Sequence, residues 1–412
     1  MSKLGVHVSA GNRRGFGAYL LTCAEAGHPV PVVFAVDQDV WPDVARYSPS
    51  TIVVYRHQPK HRQGQGLDGP PGIYTGDPVA SARAWMALLL PNWRLNRATY
   101  YAPLNEQDPP TLAAFAWLDA FTLECLRLAD QAGVKLALYA FSAGNPKHLL
   151  DADGAVLATP DECWVQLVPS LRTAAQHGHV LLLHEYGFNA PAGNGGPAGS
   201  LRASAPHLAL RYRAAYQTLY RYDATPRLIL SEASASVGAR PAWGMMTREA
   251  WLADAQWYDR ELMRDAAVIG CCLYQLGGAE DLSEVLPALA RYTAATPTPD
   301  PEADPVVGVV VEPPPPIGRQ YDRVVHLVPP NIPTKPDMNG EFDPRYLRIL
   351  ALAGLGRESV IPSADDAFIN PPECRSRTVI VYNVTSWGGR EALENWVAEW
   401  YPPVPALHYV EV

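Results

Sequence analysis

The chain has 412 residues, of which 48% are hydrophobic and 18% charged, so it is able to bury a large core and is not a disordered protein. Its 33 basic and 42 acidic residues give a formal net charge of −9. Because nucleic acids and anionic membranes select basic surfaces, this balance argues against both as main partners.

The six cysteines contain no CxxC pair; they lie at positions 23, 125, 163, 271, 272 and 374. In a chain of this length we expect free core thiols rather than a disulfide framework or a zinc site. No uncharged run reaches the roughly 18 residues of a membrane span, and the first residues do not resemble a secretory signal. We therefore expect a cytoplasmic protein, with signal-free export or release by lysis as the other routes.

Short apolar runs alternate with longer amphipathic runs from the N-terminus to about residue 297. The runs typical of strands are 4–9, 30–36, 51–56, 98–106, 135–141, 180–186, 227–232 and 268–275. The runs typical of helices are 16–26, 43–47, 78–90, 111–132, 160–177, 205–222, 248–265 and 282–292. Eight such pairs predict an α/β fold, a (β/α)8 TIM barrel. An open doubly wound sheet is the alternative. Polar residues at the C-terminal ends of nearly all the strands favour the closed barrel, where those ends meet at one mouth.

The composition changes abruptly after the barrel pattern. Residues 298–318 are rich in proline, which stiffens a chain into extended geometry. We therefore predict three parts: a (β/α)8 barrel over 1–297, a Pro-rich linker over 298–318, and a small C-terminal α/β domain over 319–412. The last part has strand patterns at 321–328, 378–384 and 406–412 and helix patterns at 344–355 and 390–400. No motif in it indicates a role.

Two glutamates stand at strand ends that a barrel brings together. Glu106, preceded by Asn105, ends the fourth strand, and Glu232 ends the seventh. These strands face each other across the mouth, so the two carboxylates can flank one sugar ring. Glycosidic bonds are broken by such a pair, one group acting as acid and the other as nucleophile or base. The acid has to keep its proton near neutral pH, which burial and a neighbouring carboxylate favour.

The chain resembles the clan A superfamily of retaining glycoside hydrolases with (β/α)8 barrels. The resemblance is carried by Asn105-Glu106 at the end of strand four and by Glu232 at the end of strand seven. The resemblance covers residues 1 to about 297 as architecture and a few positions as motif. It implies that Glu106 is the acid/base, that Glu232 is the nucleophile, and that Tyr186 on strand six holds the nucleophile. It further implies cleavage of a β-glycosidic bond with retention, an oligo- or polysaccharide as substrate, and no cofactor.

Other polar and aromatic residues of the predicted mouth extend this site. The predicted substrate-binding residues are Asn105, His184, Tyr186, Tyr274, Gln275, Arg56 and Trp243. Two of them replace family features. Many members end strand eight in tryptophan, where this chain has Tyr274, and the family arginine near the nucleophile comes from strand two, whereas Arg56 lies on strand three. Glu185 is an additional carboxylate at the predicted mouth, but strand position favours Glu232 as nucleophile.

Two interpretations from other classes stay open. The first is a metal-dependent TIM-barrel hydrolase or isomerase, with His7, Glu106, His184 and Glu232 as ligands of suitable type. Residues 5–11 resemble the start of the endonuclease IV family, although its later motifs are missing. The second is a catalytically inactive carbohydrate-binding barrel. The sugar, exo or endo action, and the oligomeric state are left open.

Overall fold

The protein was analysed as a computed structural model, which divides into two compact units, residues 1–311 and 312–412. The described residues are 1–9, 13–60, 66–151, 153–237, 240–241, 246–277, 282–296, 321–334, 343–347, 349, 359–361, 374–400 and 406–410. The predicted linker over 298–318 and Trp243 lie outside them. Within the described residues, no helix combines the length and apolarity that crossing a bilayer requires.

Eight parallel strands form the wall of the first unit, which confirms the predicted TIM barrel. They are β1 Leu4–Val8, β2 Val32–Val36, β3 Ile52–Arg56, β4 Tyr100–Tyr101, β5 Ala137–Phe141, β6 Val180–Tyr186, β7 Arg227–Ser234 and β8 Val268–Leu276. The hydrogen-bonded order is β4-β3-β2-β1-β8-β7-β6-β5. The two end strands also meet, because Tyr101 N donates to Lys135 O at 2.9 Å and Tyr101 pairs with Leu136 in a parallel bridge. The wall is therefore nearly closed.

The fourth strand is much shorter than the prediction of 98–106. Only Tyr100–Tyr101 are strand, and the chain then passes through Pro103, which has no N–H to donate to a ladder. Ala102 still donates to Tyr55 O at 2.9 Å. Residues 102–106 therefore follow the top of the barrel as a loop, and this loop carries the Asn105-Glu106 pair.

Helices cover the outside of this wall. They are α1 Phe16–Glu25, α2 Trp41–Tyr47, α3 Pro78–Leu95, α4 Leu112–Ala132, α5 Pro160–Gln166, α6 Val168–His177, α7 Leu201–Ser204, α8 Tyr212–Tyr220, α9 Arg248–Met263 and α10 Leu286–Ala295. Two predicted helices differ from the observed ones. The helix over 160–177 is interrupted at Leu167, and the helix over 205–222 is wrong at its start, because α7 ends before Pro206 and α8 begins at Tyr212. Proline in a helix interior removes a hydrogen bond and clashes with the preceding turn.

Side-chain alternation along the strands creates two cores. One fills the barrel interior and includes Val32, Phe34, Val54, Ala137, Val180, Leu182, Ile229, Ile269 and Cys272. The other lies between the wall and the helices and includes the outward-facing Leu181, Leu228 and Leu230. Both faces of each strand are covered, which explains the continuous apolar runs in the sequence. Five buried cysteines have free thiols, as predicted: Cys23, Cys125, Cys163, Cys271 and Cys272.

The second unit contains a four-stranded parallel sheet. Its strands are β9 Tyr321–Leu327, β10 Ser359–Ile361, β11 Cys374–Tyr382 and β12 Ala406–Val410, in the order β10-β9-β11-β12. The helix α11 Arg390–Trp400 has the predicted bounds, and residues 344–347 are also helical. The sequence analysis missed β10, which is only three residues long. The buried core of the second unit includes Val325, Val379, Leu393 and Val397.

Candidate active site

Glu106 is held at the mouth by backbone hydrogen bonds from both neighbouring segments. Its N–H donates to Ala140 O of β5 at 2.9 Å, and Asn105 N–H donates to Asp68 O at 2.8 Å. The φ of Glu106 is 48°, a left-handed value that residues with a β-carbon adopt rarely. Backbone outliers of this kind concentrate at functional sites, where the surrounding structure maintains them. The Glu106 side chain is 44% exposed at the mouth, whereas Asn105 is buried.

Glu232 faces the mouth because β7 contains a bulge. On β6, Leu183 pairs with Leu230 and the next residue, His184, pairs with Glu232, so Ser231 is an extra residue in β7. Ile229 lies in the barrel interior and simple alternation would turn Glu232 outward; the extra residue turns it back in. Bulges often redirect side chains beside active sites. Glu232 is 9% exposed and accepts a hydrogen bond from Tyr186 Oη to its Oε2 at 2.7 Å.

His184 and Tyr186 reach the mouth by the alternation of β6. Val180 and Leu182 point into the barrel interior, so the next two inward positions are His184 and Tyr186. His184 Nδ1 lies 2.9 Å from Glu106 Oε1 and 3.6 Å from Glu232 Oε2. His184 therefore stands between the two glutamates, and Tyr186 contacts the residue predicted as nucleophile.

The two carboxylates are close. One carboxylate oxygen of Glu106, one of Glu232 and a ring nitrogen of His184 all lie within 4.8 Å of one another. In glycosidases the separation of the two carboxyl groups is about 5–5.5 Å for retention and about 6.5–9.5 Å for inversion, where a water has to fit between them. At this mouth the nearest oxygens of Glu106 and Glu232 are close enough for both carboxylates to contact one bound group.

The electrostatics of the mouth shift the pKa values of Glu106 and His184 in opposite directions. The hydrogen bond with His184 lowers the pKa of Glu106 against the opposing effect of burial, which raises it. Burial on its own lowers the pKa of His184, but the charges of Glu232 and Glu106 raise it above its ordinary value. Both shifts run against the expectation that Glu106 keeps its own proton near neutral pH, because the contact with His184 favours an ionised Glu106 beside a protonated imidazole.

A chain of ring contacts surrounds Glu232. His7 of β1 stacks on Phe34 with ring centroids 5.1 Å apart and lies 4.9 Å from the ring of Tyr274. Tyr274 lies 6.0 Å from Tyr186, which in turn contacts Phe188 at 5.3 Å. Tyr274 thus takes the strand-eight position as predicted, half-buried at the mouth. Gln275, joined to it by a cis peptide bond, is half-buried there too.

Arg56 is buried and forms an ion pair with Asp68 rather than with Glu232. Its Nη2 lies 3.3 Å from Asp68 Oδ1. Its charge contributes to lowering the pKa of Glu106. The sequence analysis did not identify Asp68, which lies in the Gly/Pro-rich loop after β3 and has no motif to mark it. The side chain of Asp68 pairs with Arg56, and its backbone carbonyl accepts a hydrogen bond from Asn105 N. Asp68 therefore connects Arg56 to the segment that carries Glu106.

Several buried polar atoms of the mouth have no hydrogen-bond partner in the described part of the chain. They are both ring nitrogens of His7, Nε and Nη1 of Arg56, Oδ1 of Asn105 and Nε2 of His184. A buried polar group without a partner costs free energy, so donors and acceptors gathered at one mouth favour a ligand that is polar on several sides.

Glu185 does not belong to this site. It lies on the outward face of β6, 1% exposed, and accepts hydrogen bonds from Leu210 N at 2.6 Å and from Tyr258 Oη. Its Oε1 lies 3.5 Å from Tyr212 N, at the start of α8. Burial raises the pKa of Glu185 to about 7. Glu185 as a mouth carboxylate is therefore wrong, since successive strand residues point to opposite faces.

Two groups of side chains in the described residues have ligand atoms close enough for a metal ion. The first is Glu106, His184 and Glu232, a histidine and two carboxylates. The second is Asp130, His177 and His179, beside the N-terminal end of β6. In the second group His179 Nδ1 accepts a hydrogen bond from Leu136 N at 2.8 Å, so the neutral ring carries its hydrogen on Nε2, which faces Asp130. That nitrogen has no lone pair for a metal, and the group is structural.

The fold and the mouth define a (β/α)8 barrel with paired carboxylates at the C-terminal ends of its strands, where enzymes of this fold have their active sites. No protein-family model matches the chain, and no curated protein sequence matches it.

Solved structures resemble it at low identity. An endo-β-1,3-glucanase from Amycolatopsis mediterranei in complex with laminaritriose is 15% identical, with 75% of this chain and 98% of that chain covered and a TM-score of 0.35. An exo-β-1,4-mannosidase from an Opitutaceae bacterium is 14% identical (98% and 77% covered, TM-score 0.37). A sugar phosphate isomerase/epimerase from Parabacteroides distasonis is 10% identical (72% and 95% covered, TM-score 0.38).

Proposed function

We propose that the barrel is a retaining β-glycosidase acting on an oligo- or polysaccharide, with Glu232 as nucleophile and Glu106 as acid/base. The observation that carries the proposal is the approach of one oxygen of Glu106, in the loop after β4, to within 4.8 Å of one oxygen of Glu232 on β7 at the same mouth. This short approach supports direct attack by one carboxylate on the sugar, because retaining enzymes have the more closely spaced pair of carboxyl groups.

The neighbours of Glu232 suit a nucleophile. Tyr186 Oη donates to Oε2, which fixes the carboxylate plane and leaves Oε1 for attack on the anomeric carbon. Burial and the charge of Glu232 hold the pKa of Tyr186 well above its ordinary value, so the hydroxyl keeps its hydrogen for this bond. As Oε1 bonds to the anomeric carbon, the bond to the leaving oxygen breaks and its electron pair stays with that oxygen.

Glu106 and His184 together supply the proton for the leaving oxygen. In the free site the proton resides on His184, and Nδ1 is 2.9 Å from Glu106 Oε1, a distance suited to proton transfer. Passage of this proton to Glu106 as substrate displaces water gives the acid that the first step requires. In the second step Glu106 takes a proton from water, which attacks the glycosyl–enzyme and releases the sugar with its configuration retained.

The unpartnered atoms of the mouth match the chemistry of a sugar. Asn105 Oδ1 accepts, Arg56 Nε and Nη1 donate, and a hydroxyl group does both. Tyr274 and Phe188 add ring faces beside these polar groups. Trp243, outside the described residues, stays a predicted contact.

The test is hydrolysis of a panel of aryl β-glycosides followed by NMR of the first product anomer. We expect at least one glycoside to be cleaved to the β-anomer, and Glu232→Gln to abolish cleavage while the protein stays folded. Release of the α-anomer first would exclude retention. A Glu232→Gln variant with wild-type turnover would exclude Glu232 as nucleophile.

A metal-dependent reaction at Glu106, His184 and Glu232 is the second candidate, because their ligand atoms are grouped. A metal would have to displace the hydrogen of His184 that faces Glu106. Dialysis against EDTA, with return of zinc or manganese as separate additions, separates the two proposals. The glycosidase keeps its activity after EDTA. Activity that is lost and then restored by one ion would support the metal reaction instead.

A further inference from the structure

His7 lies beside the one oxygen of Glu232 that Tyr186 leaves free. Its Nε2 is 3.7 Å from Glu232 Oε1, whereas Tyr186 holds Oε2 at 2.7 Å. The distance of 3.7 Å is too long for a hydrogen bond, so Oε1 keeps its lone pairs available. Neither ring nitrogen of His7 has a hydrogen-bond partner in the described residues, although the side chain is 3% exposed.

Packing fixes the direction in which the imidazole points. The ring is stacked on Phe34 and contacts Tyr274, so it is held from two neighbouring strands, β2 and β8. The charged and titratable groups that face it are Glu232, Arg56, His184 and Tyr274. Burial first, then the charges of Arg56 and His184, hold the pKa of His7 well below its ordinary value. The ring is therefore neutral, with one N–H and one lone pair.

We propose that His7 is a positioning residue for the nucleophile: its ring, held against Phe34 and Tyr274, directs Nε2–H at Glu232 Oε1 and orients that oxygen toward the anomeric carbon. The inference rests on the proposed glycosidase function. A charged imidazolium at this place would pair with Glu232 and weaken its attack, whereas a neutral N–H gives direction without neutralising the carboxylate. His7 keeps its hydrogen throughout. Only the bond from Oε1 to carbon forms and the bond to the leaving oxygen breaks.

Two substitutions distinguish the contribution of the N–H donor from that of the aromatic ring. His7→Phe keeps a flat ring against Phe34 and Tyr274 and removes the donor, while His7→Gln keeps a neutral donor and loses the ring. The probes are 2,4-dinitrophenyl 2-deoxy-2-fluoro-β-glycosides of glucose, mannose, galactose and xylose. Their leaving group needs no acid, so the rate of dinitrophenolate release in one turnover reports on Glu232 alone. Peptide mapping by mass spectrometry identifies the labelled residue.

We expect the wild type to be labelled on Glu232 and His7→Phe to be labelled more slowly by on the order of 100-fold, since a small misplacement of a reacting group has that effect. The probe concentration at half-saturation should change less than about twofold in both variants, because His7 acts on orientation rather than on binding. His7→Gln should recover most of the rate. The control is His177→Phe, an exposed histidine on α6, which should be labelled at the wild-type rate.

Two results overturn the inference by itself: labelling of His7→Phe at the wild-type rate, or equal losses in His7→Phe and His7→Gln. A wild type that no probe labels and that cleaves none of the aryl glycosides would refute the proposed function. The geometry of His7 is then tested by ¹⁵N NMR of histidine-labelled protein, with the His7 signals assigned from their loss in His7→Phe. We expect a neutral ring with the hydrogen on Nε2 near neutral pH, and a shift of its signals in Glu232→Gln. A charged ring, or hydrogen on Nδ1, overturns the positioning role in either case.

Discussion

Glu185→Gln tests whether burial of a carboxyl group behind the barrel wall makes the stability of the fold depend on pH. Glu185 is 1% exposed, and burial raises its pKa from the ordinary 4.5 to about 7. Between these two values the folded state holds a proton that the unfolded state has lost. Stability therefore falls as the pH rises through this window, by about 1.4 kcal/mol per pH unit and by about 3 kcal/mol in total.

Glutamine reproduces the protonated acid in shape and charge. Its carbonyl oxygen can occupy the place of Oε2 and accept from Leu210 N and Tyr258 Oη, and its amide then replaces Oε1, where the contact with Tyr212 N is already long at 3.5 Å. We therefore expect Glu185→Gln to match the wild type near pH 4.5 and to be more stable above pH 7 by up to about 3 kcal/mol.

Urea unfolding at pH 4.5, 5.5, 6.5 and 7.5 measures the difference, because the midpoint follows stability when the slope is unchanged. Glu25→Gln is the matched control: Glu25 is exposed at the end of α1, and its variant should follow the wild type at every pH. Parallel curves for Glu185→Gln and the wild type from pH 4.5 to 7.5 would show that the folded state does not hold the proton, and the reasoning from burial would be refuted.

Three further predictions concern the mouth. Tyr186→Phe removes the hydrogen bond to Glu232 Oε2 and should lower kcat on the most active aryl glycoside on the order of 10- to 100-fold. An unchanged kcat would contradict the proposal that Tyr186 fixes the orientation of the Glu232 carboxylate. Glu106→Ala should lower kcat/KM on unactivated glycosides by about 10²- to 10⁴-fold. Bond cleavage of dinitrophenyl glycosides should stay nearly intact, because their leaving group needs no acid. Added azide should give a β-glycosyl azide. Failure to form that azide would argue against Glu106 as acid/base. His184→Asn should move the basic limb of the pH–rate profile to lower pH. In the wild type the raised pKa of His184 retains the proton above about pH 6.5, and the variant has only a carboxyl group to hold it. A limb that does not move would place the proton elsewhere.

The barrel and the strand positions of its polar residues are predictable from the sequence. The period of the apolar runs and their number give the TIM barrel, and alternation along β6 brings His184 and Tyr186 to the inside and sends Glu185 to the outside. The sequence analysis placed Glu185 at the mouth because it counted strand ends without following which face each residue occupies.

Other features depend on contacts that a linear pattern does not contain. Alternation from Ile229 alone would turn Glu232 out of the barrel, and only the pairing with β6 reveals the extra residue Ser231 that turns it in. The opposite pKa shifts of Glu106 and His184 result from three groups meeting in space. His7 was considered as a metal ligand because of its residue type, and its position beside Oε1 of Glu232 requires the closure between β1 and β8.

The brevity of β4 has a consequence for how this barrel can change during evolution. Glu232 is nine-tenths buried within β7, whereas Glu106 lies outside the ladder, in a segment attached by backbone hydrogen bonds from Asn105 to Asp68 and from Glu106 to Ala140. A small insertion near Asp68 would move Glu106 away from Glu232 without disturbing the barrel wall. The gap between the two carboxyl groups decides whether a water fits between them. The stereochemical outcome of the proposed reaction is thus under the control of one surface loop, and a change from retention to inversion would require remodelling there rather than in the core.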